Sequence, residues 1–243
     1  MTPEDFGLRE EPRRHELSHD HFGQSDAVDA PMFDTGTTIV AVTAEDGVVM
    51  AADQRMSLGG RFTANKNARK ISRVHPRAAF AISGSVGPAQ DVVRSLRAEA
   101  SLYESRRDEP MSMAAVSQTA GHLVRGLPVA PILGGVDDEG GHVYELDGGG
   151  SVMADAYAAG GSGMQVAYGV LERRFEPGAA LADATDAAVA AVDAACERDT
   201  ASGNGVTVAT ITDAGVEIEA VDDASEATAT EGRDAAGDSG EVA

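Results

Sequence analysis

The order of the secondary-structure signals most constrains the fold of this chain. Two apolar, β-branched runs, Thr37–Thr43 and Gly47–Ala52, are separated by a short turn segment that contains Asp-Gly. Asp-Gly between two such runs is a strong signal for a β-hairpin. Two further pairs of apolar runs, over residues 132–146 and over residues 206–221, are also separated by short segments that contain Asp and Gly but no Asp-Gly dipeptide. Strands joined by tight turns pair in the antiparallel direction, so the sequence predicts largely antiparallel sheets.

Helical patterns lie between these strand pairs, and they also come in pairs. Apolar residues recur at helical spacing over four segments, namely 88–107, 111–127, 162–173 and 179–197. Ser112 is a plausible N-cap of the second helix. A doubly wound parallel sheet would need a helix after each strand, and this order does not occur. The pattern therefore favours an α+β layered sandwich, with two sheets face to face and the helices outside.

Composition divides the chain into three parts. Residues 1–36 carry nine acidic residues and three arginines without any apolar periodicity, and they are interpreted as an unstructured leader. Residues 221–243 are rich in acidic residues, Ala, Thr and Gly, which predicts a disordered acidic tail. Residues 37–220 are long enough for one sizeable core and form the predicted domain.

The formal net charge of −21 argues against nucleic acid or an anionic membrane as a partner. Lys66 and Lys70 are the two lysines among nineteen basic residues. An acidic chain with few lysines and few aromatics suggests a protein kept soluble in high salt, and an ordinary acidic protein is the alternative. Cys196 stands alone, so no intramolecular disulfide can form. With no apolar run of about 18 residues and no signal peptide, we expect a cytoplasmic protein.

Thr37 is the first candidate for chemistry. A threonine hydroxyl is a poor nucleophile without a base, and the α-amine of an N-terminal threonine can serve as that base. Gly36 precedes Thr37, and a glycine there would allow a strained turn that brings the hydroxyl to the preceding carbonyl. Cleavage between Gly36 and Thr37 would remove the leader and leave Thr37 with both nucleophile and base.

Asp53 and Lys70 are candidate partners of Thr37. Asp53 ends an apolar strand, where a carboxylate needs a cation or hydrogen-bond donors. A nearby Lys70 ammonium would lower the pKa of a neighbouring amine or hydroxyl. A surface ion pair is the simpler interpretation of an Asp–Lys pair, but both lysines of this chain fall within one short segment.

Three glycine-containing loops could add polar groups. Gly84 lies in Gly84-Ser85-Val86-Gly87, a turn between a strand and a helix that could aim an N–H at an oxyanion. Ser162 lies between two glycines, where it could be a helix N-cap, and Asp199 and Ser202 lie in a loop after another helix. These short polar side chains could instead converge to orient an amine.

Taken in order, the motifs resemble proteasome beta subunits of the archaeal type over residues 37–220. They are Gly36-Thr37-Thr38, Gly47 to Arg55, Asn67-Ala68-Arg69-Lys70, Ser83 to Gly87, Gly161-Ser162-Gly163 with Tyr168 to Glu172, and Arg198 to Gly203. The resemblance implies an N-terminal-nucleophile hydrolase with a four-layer α-β-β-α sandwich. It further implies a threonine-type endopeptidase that hydrolyses peptide bonds without ATP, metal or any other cofactor.

The resemblance also assigns roles to the candidates. Thr37 corresponds to the nucleophile, Asp53 and Lys70 to the charged pair beside it, and Gly84 to the oxyanion donor. The residues that hold the amine correspond to Ser162, Asp199 and Ser202. The primary specificity pocket corresponds to four apolar residues, Met56, Ala68, Ile82 and Val86, which implies cleavage after hydrophobic residues.

The partners implied by the resemblance are proteasome alpha subunits, a regulatory unfolding ATPase and unfolded protein substrates. The beta chains would form homo-heptameric rings, or rings shared with other beta subunits, inside a barrel of four rings and twenty-eight subunits. Ile39, in place of a frequent threonine, resembles the bacterial ATP-dependent relative of the superfamily, whereas residues 198–203 favour the proteasome. An N-terminal-nucleophile amidase for small molecules and a catalytically silent ring subunit remain alternatives.

Overall fold

The structure is a computed structural model that describes residues 36–221. The predicted leader and acidic tail therefore lie outside the described residues, apart from Gly36 and Val221. The helices are Val86–Arg107 (α1), Met113–Val124 (α2), Met164–Arg174 (α3) and Leu181–Arg198 (α4). The strands are Ile39–Ala44 (β1), Gly47–Asp53 (β2), Met56–Leu58 (β3), Phe62–Asn65 (β4), Ile71–His75 (β5), Ala78–Ala81 (β6), Ile132–Asp137 (β7), Gly140–Leu146 (β8), Val152–Asp155 (β9), Tyr157–Gly160 (β10), Val206–Thr212 (β11) and Gly215–Val221 (β12).

The strands form two five-stranded sheets and a small hairpin. The first sheet has the order β10-β1-β2-β11-β12 and the second has the order β5-β6-β7-β8-β9. Every neighbouring pair in both sheets is antiparallel. The predicted hairpins are present, with Ala44 opposite Gly47 at the first turn. The expectation of antiparallel sheets is therefore confirmed.

Three buried clusters mark the interfaces between four layers. One cluster joins α1 and α2 to the second sheet, for example through Leu96, Val116 and Phe80. A second lies between the two sheets, and a third joins the first sheet to α3 and α4, for example through Leu171 and Val192. The layers therefore follow the order helices, sheet, sheet, helices, and the predicted α+β sandwich is confirmed.

Strand β1 shows why its sequence reads as a continuous apolar run. Ile39 and Ala41 pack between the two sheets, whereas Val40 and Val42 pack against the helices of the third cluster. Successive side chains of a strand point to opposite faces, and here both faces are covered. An unbroken run of apolar residues is the pattern expected of a strand buried on both sides.

The helices begin and end close to their predicted positions. Helix α1 starts two residues earlier than expected, at Val86. Helix α2 is capped by Ser112 as predicted, because its hydroxyl accepts a hydrogen bond from the Ala115 N–H at 3.3 Å. It ends at Val124, before Gly126 with φ +79°, because a glycine in the left-handed region terminates a helix.

Several strands were not predicted from the sequence. Strands β9 and β10 follow each other directly, yet Asp155 pairs with Val143 in the second sheet and Tyr157 pairs with Val42 in the first. The chain therefore crosses from one sheet to the other at Ala156. Such a crossing depends on tertiary packing, and neither short segment carries a hairpin signal.

Candidate active site

The strand order brings the predicted residues to one end of the first sheet. Strands β1, β2 and β11 are neighbours, with Ile39 opposite Ala52 and Asp53 opposite Val206. Thr37 lies just before β1, Asp53 ends β2, and the loop 199–205 leads into β11. We call this part of the molecule the site end. Thr37 and Asp199, which are 162 positions apart in sequence, thus come together because adjacent antiparallel strands begin and end there.

Asp53 is fully buried, and donors surround its carboxylate. Oδ1 accepts hydrogen bonds from Lys70 Nζ at 2.5 Å and from the Thr38 N–H at 2.8 Å. The Thr37 hydroxyl lies 3.4 Å from the same oxygen. The Asp–Lys pair is therefore buried beside Thr37, and the alternative of a solvated surface ion pair is excluded.

The second carboxylate oxygen of Asp53 holds the backbone on both sides of the site. Oδ2 accepts hydrogen bonds from the Arg55 N–H at 3.0 Å and the Gly203 N–H at 2.9 Å. A buried carboxylate needs such donors in place of water. Asp53 thus fixes the chain after β2 relative to the loop before β11.

Lys70 is almost completely enclosed, with 7% of its surface exposed. Burial lowers the pKa of its ammonium group, while the negative charge of Asp53 acts in the opposite direction. A lysine with a lowered pKa releases its proton more readily than a solvated lysine. The protonated Lys70 amine therefore places a positive charge near the Thr37 hydroxyl, and its lowered pKa makes it easier for the same group to give up a proton.

A closed chain of hydrogen bonds surrounds the backbone of Thr37. The Thr37 N–H donates to Ser162 Oγ at 3.0 Å, and this hydroxyl donates to Asp199 Oδ2 at 2.5 Å. Ser202 Oγ donates to the same oxygen at 2.7 Å and lies 2.8 Å from Thr38 Oγ1. The network thus runs from Thr37 through three side chains to the next residue of the chain. It holds the nitrogen that would become the amine after cleavage at Gly36.

Ser162 does not cap helix α3. The cap position belongs to Gly163, which makes no side-chain cap bond, so the Ser162 hydroxyl is available to the Thr37 nitrogen. Neighbouring glycines permit this approach, because a Cβ at Gly161 would overlap the Thr37 carbonyl oxygen and a Cβ at Gly163 would overlap Thr38 Oγ1. The glycines around Ser162 therefore allow close packing against Thr37 and Thr38.

Gly36 lies in a tightly packed position. A Cβ at Gly36 would overlap the Cβ of Ala201 and would lie 3.0 Å from Ser57 Oγ. The Gly36 N–H donates to that hydroxyl at 3.1 Å. Close packing alone therefore disfavours a larger residue here. The strained turn expected at Gly36 stays a prediction.

A cavity of about 380 Å³ opens beside Thr37. Gly84 lies on its wall with φ +95°, and a Cβ there would come within 2.5 Å of the Pro128 carbonyl oxygen. The four residues assigned to the specificity pocket also line it: Met56, Ala68, Ile82 and Val86. The structure thus brings these positions together next to Thr37, while their roles stay predictions.

Sequence reasoning missed two residues that organise the site, Arg55 and Asn204. Arg55 Nε donates to Asn204 Oδ1 at 2.9 Å, and Nη1 donates to the Thr200 carbonyl oxygen at 3.0 Å. Asn204 has φ +67° and lies between two glycines that also have positive φ. A Gly-Asn-Gly sequence directly before a strand was the available signal, because Asn tolerates this conformation better than most residues.

Among the described residues, one group of side chains brings three potential metal ligands together. Asp137, Glu139 and His142 have ligand atoms within 4.8 Å of one another, and they lie on the β7–β8 hairpin rather than beside Thr37. His142 Nε2 lies 2.7 Å from Asp137 Oδ1, so the two side chains already pair with each other. The expectation that the site needs no metal stays a prediction.

Cys196 is partly buried, and burial raises the pKa of its thiol to about 12. A thiol of this kind is protonated near neutral pH, as expected of a structural cysteine. No helix within residues 36–221 has the length and apolar character needed to cross a membrane.

The fold and the site together define a class. Two face-to-face antiparallel sheets between helix pairs, with a threonine at the start of a central strand, form the sandwich of N-terminal-nucleophile hydrolases. Within that class, the family model described as "Proteasome subunit" matches residues 33–211. The chain belongs to the proteasome subunit family.

Similar curated proteins come from halophilic archaea. The chain is 52% identical over 230 residues to a proteasome subunit beta of Halorhabdus utahensis, which covers 93% of this chain and 97% of that protein. It is 55% identical over 192 residues to proteasome subunit beta 2 of Haloarcula marismortui, covering 78% and 84% of the two chains. It is 57% identical over 185 residues to a proteasome subunit beta of Halobacterium salinarum, covering 75% and 76%.

Proposed function

We propose that this chain is a catalytic beta subunit of the proteasome core, and that Thr37 is its nucleophile. One observation carries the proposal: Lys70, Asp53 and the Thr37 hydroxyl meet in a buried cluster, and Thr37 and Lys70 also line a cavity. The beta-subunit relatives support the proteasome part of the proposal. The buried polar cluster supports the catalytic part, because a titratable group shifted by burial, next to a potential nucleophile at a cavity, is typical of catalytic sites.

Activation would be cleavage of the Gly36–Thr37 bond by Thr37 itself. The Thr37 oxygen attacks the Gly36 carbonyl carbon, the bond to the Thr37 nitrogen breaks as that nitrogen gains a proton, and an ester forms. Water then hydrolyses the ester to give a leader that ends in a Gly36 carboxylate and a chain that begins with Thr37. Residues 1–36 would thus act as a removable leader, and residues 37–220 as the active domain.

In the mature enzyme, the Thr37 amine would take the proton of its own hydroxyl as that oxygen attacks a substrate carbonyl. An α-amine has a reference pKa of about 7.7–8.0, so roughly a tenth to a fifth of it is unprotonated at pH 7 and able to accept a proton. Ser162, which donates to Asp199, would hold this amine in place, and Ser202 would support the same carboxylate. The ammonium of Lys70 would favour loss of the hydroxyl proton.

The remaining steps follow ordinary acyl transfer. The Gly84 N–H would stabilise the oxyanion, and the amine would return its proton to the leaving nitrogen of the substrate. Water, activated by the same amine, then hydrolyses the acyl ester and regenerates the threonine. Every step uses residues of this chain and water, so peptide hydrolysis itself would be independent of ATP and of any cofactor.

Assembly belongs to the same proposal. Beta chains would form heptameric rings stacked with alpha-subunit rings, and a separate ATPase would unfold substrates and deliver them to the chamber. We propose the cytoplasm as its location. The four apolar residues that line part of the cavity, Met56, Ala68, Ile82 and Val86, support cleavage after hydrophobic residues.

The decisive experiment is mass spectrometry of the full-length chain after co-expression with its alpha partner. The expected mature chain begins at Thr37, reacts with an epoxyketone inhibitor at that residue, and cleaves fluorogenic peptides. A Thr37→Ala chain should retain its leader and cleave nothing. An active particle with an intact Met1 terminus would contradict the proposal. An assembled particle with no labelling and no peptidase activity would identify a silent ring subunit.

A further inference from the structure

The charge of the cavity beside Thr37 is opposite to the charge of the chain. Four basic residues line the cavity, namely Arg69, Lys70, Arg94 and Arg97, and no aspartate or glutamate of the described residues lines it. The whole chain has a formal net charge of −21. A local concentration of positive charge in such a chain needs an explanation.

Two of these cations have carboxylate partners. Lys70 pairs with Asp53 at 2.5 Å, and Arg94 pairs with Asp91, three residues earlier on α1. Within residues 36–221, Arg69 and Arg97 have no carboxylate partner. The cavity wall therefore retains positive charge that the described part of the chain does not neutralise.

Arg97 is held at the wall by the backbone. Its Nε donates to the Arg73 carbonyl oxygen at 2.6 Å, which ties the guanidinium to strand β5. One face of α1 lines the cavity, because residues three or four positions apart lie on the same side of a helix. The residues of this face are Val86, Gln90, Val93, Arg94 and Arg97. Along this face the lining changes from apolar at Val86 to cationic at Arg97.

The cavity is larger than one aliphatic side chain requires. Its volume of about 380 Å³ falls in the range of pockets that hold drug-sized ligands, roughly 300–1,000 Å³. Val86 and Arg97 are eleven residues apart, which is about 16 Å along a helix. A substrate residue held near Thr37 by the apolar lining would thus leave room for a neighbouring residue near the arginines.

We propose that the cationic part of this cavity, formed by Arg69, Arg94 and Arg97, binds an acidic side chain of the substrate. The preferred substrates are then peptide segments that carry a carboxylate close to an apolar residue on the acyl side of the cleaved bond. The inference rests on the proposed peptidase function and names its substrate class. Local positive potential would also attract acidic segments that the chain's overall charge repels.

The test uses peptides that differ only in charge. Full-length chains co-expressed with the alpha partner are assayed on fluorogenic peptides with Leu before the reporter, and with Glu or Gln at each of the two preceding positions. A third pair places Glu or Gln directly before the reporter. At the position whose side chain reaches the arginines, wild type should give a higher kcat/KM for the Glu peptide than for the Gln peptide. Since exposed ion pairs are weak, we expect Arg97→Gln to lower the Glu/Gln ratio of kcat/KM by about twofold to fivefold.

Matched variants separate local charge from net charge. Arg106 lies on the same helix, is exposed and does not line the cavity, so Arg106→Gln should leave the ratio unchanged. Arg97→Lys keeps the charge and should retain most of the preference. A double Arg94→Gln, Arg97→Gln variant should lose more of it than either single variant.

Salt provides a measurement that needs no variant. The Debye length falls from about 10 Å at 0.1 M to about 3 Å at 1 M salt, so the wild-type Glu/Gln ratio should approach one over the salt range in which the Gln peptide is still cleaved. A ratio that is unaffected by salt and by both arginine substitutions would overturn this inference while leaving the peptidase proposal intact. Absence of cleavage of every peptide by wild type would instead refute the peptidase proposal and this inference with it.

Discussion

The two ends of the first sheet carry carboxylates in opposite surroundings. At the site end, Asp53 has no exposed surface and accepts hydrogen bonds from three backbone N–H groups and Lys70. The other end, which we call the turn end, contains the β1–β2, β7–β8 and β11–β12 turns. Five acidic residues line a cavity of about 420 Å³ there: Glu45, Asp46, Asp137, Asp138 and Asp213.

The difference shows that burial, not residue type, determines what a carboxylate does. The side chain of Asp138 is fully exposed and lies 3.6 Å from Arg77, so water and salt screen its charge. Asp53 has no water to solvate it and depends on its donors. A carboxylate with such requirements fixes the position of everything that bonds to it, whereas the turn end contributes mainly charge.

The largest effect should come from Asp53→Asn. An amide cannot reproduce the carboxylate's contacts, and Lys70 would remain buried without its counter-charge, which costs about 3–5 kcal/mol. We expect a large fall in the urea midpoint and a retained leader by mass spectrometry. The matched change at the turn end, Asp138→Asn, should alter the free energy of unfolding by no more than about 0.5 kcal/mol. Equal effects of the two substitutions would break the comparison between the two ends.

A second prediction concerns the close packing at the cleavage junction. Gly36→Ala should destabilise the uncleaved chain by about 1–3 kcal/mol through overpacking against Ala201, and should slow leader removal. Adding Ala201→Gly removes the overlapping Cβ and should restore part of the cleavage rate. The rate is measured by mass spectrometry during co-expression with the alpha partner. If Ala201→Gly fails to help, the effect of Gly36→Ala must arise from backbone conformation, as the sequence first indicated.

A third prediction tests the bond between Arg55 and Asn204. Asn204→Gly keeps the positive φ but loses the acceptor, and should cost about 1 kcal/mol in the free energy of unfolding together with a fall in kcat. Asn204→Asp keeps an acceptor that can pair with Arg55, so it should retain most of the stability and activity. Urea unfolding measures the change in stability, and peptidase assays measure the change in kcat. Identical behaviour of both variants would show that the side-chain bond does not position the loop of Asp199 and Ser202.

The smallest effect should come from the charges of the turn end. Replacing Glu45, Asp46 and Asp138 by their amides reduces repulsion between like charges, so stability in dilute buffer should rise by a few tenths of a kcal/mol. At 1 M salt the gain should vanish, because screening already removes the repulsion. Urea midpoints across a salt series measure this. If the gain in stability persists at 1 M salt, local hydrogen bonding and not charge is its cause.

The sequence by itself determined the paired strands, the paired helices and the layered sandwich, because each depends on local patterns. Short glycine-containing turns between apolar runs define hairpins through neighbouring residues, and helical spacing defines an amphipathic face. The resemblance named Thr37, Asp53 and Lys70 as one group, and their separation in sequence gave no distance between them.

Only the tertiary structure decided the contacts between remote segments. The adjacency of β1, β2 and β11 brings Ser162, Asp199 and Thr37 into one hydrogen-bonded network, and the overlap of a Gly36 Cβ with Ala201 arises in the same way. The positive lining of the cavity likewise depends on α1 packing beside the loop of Lys70. Such features depend on which surfaces face each other after packing, and no local pattern of residues encodes that choice.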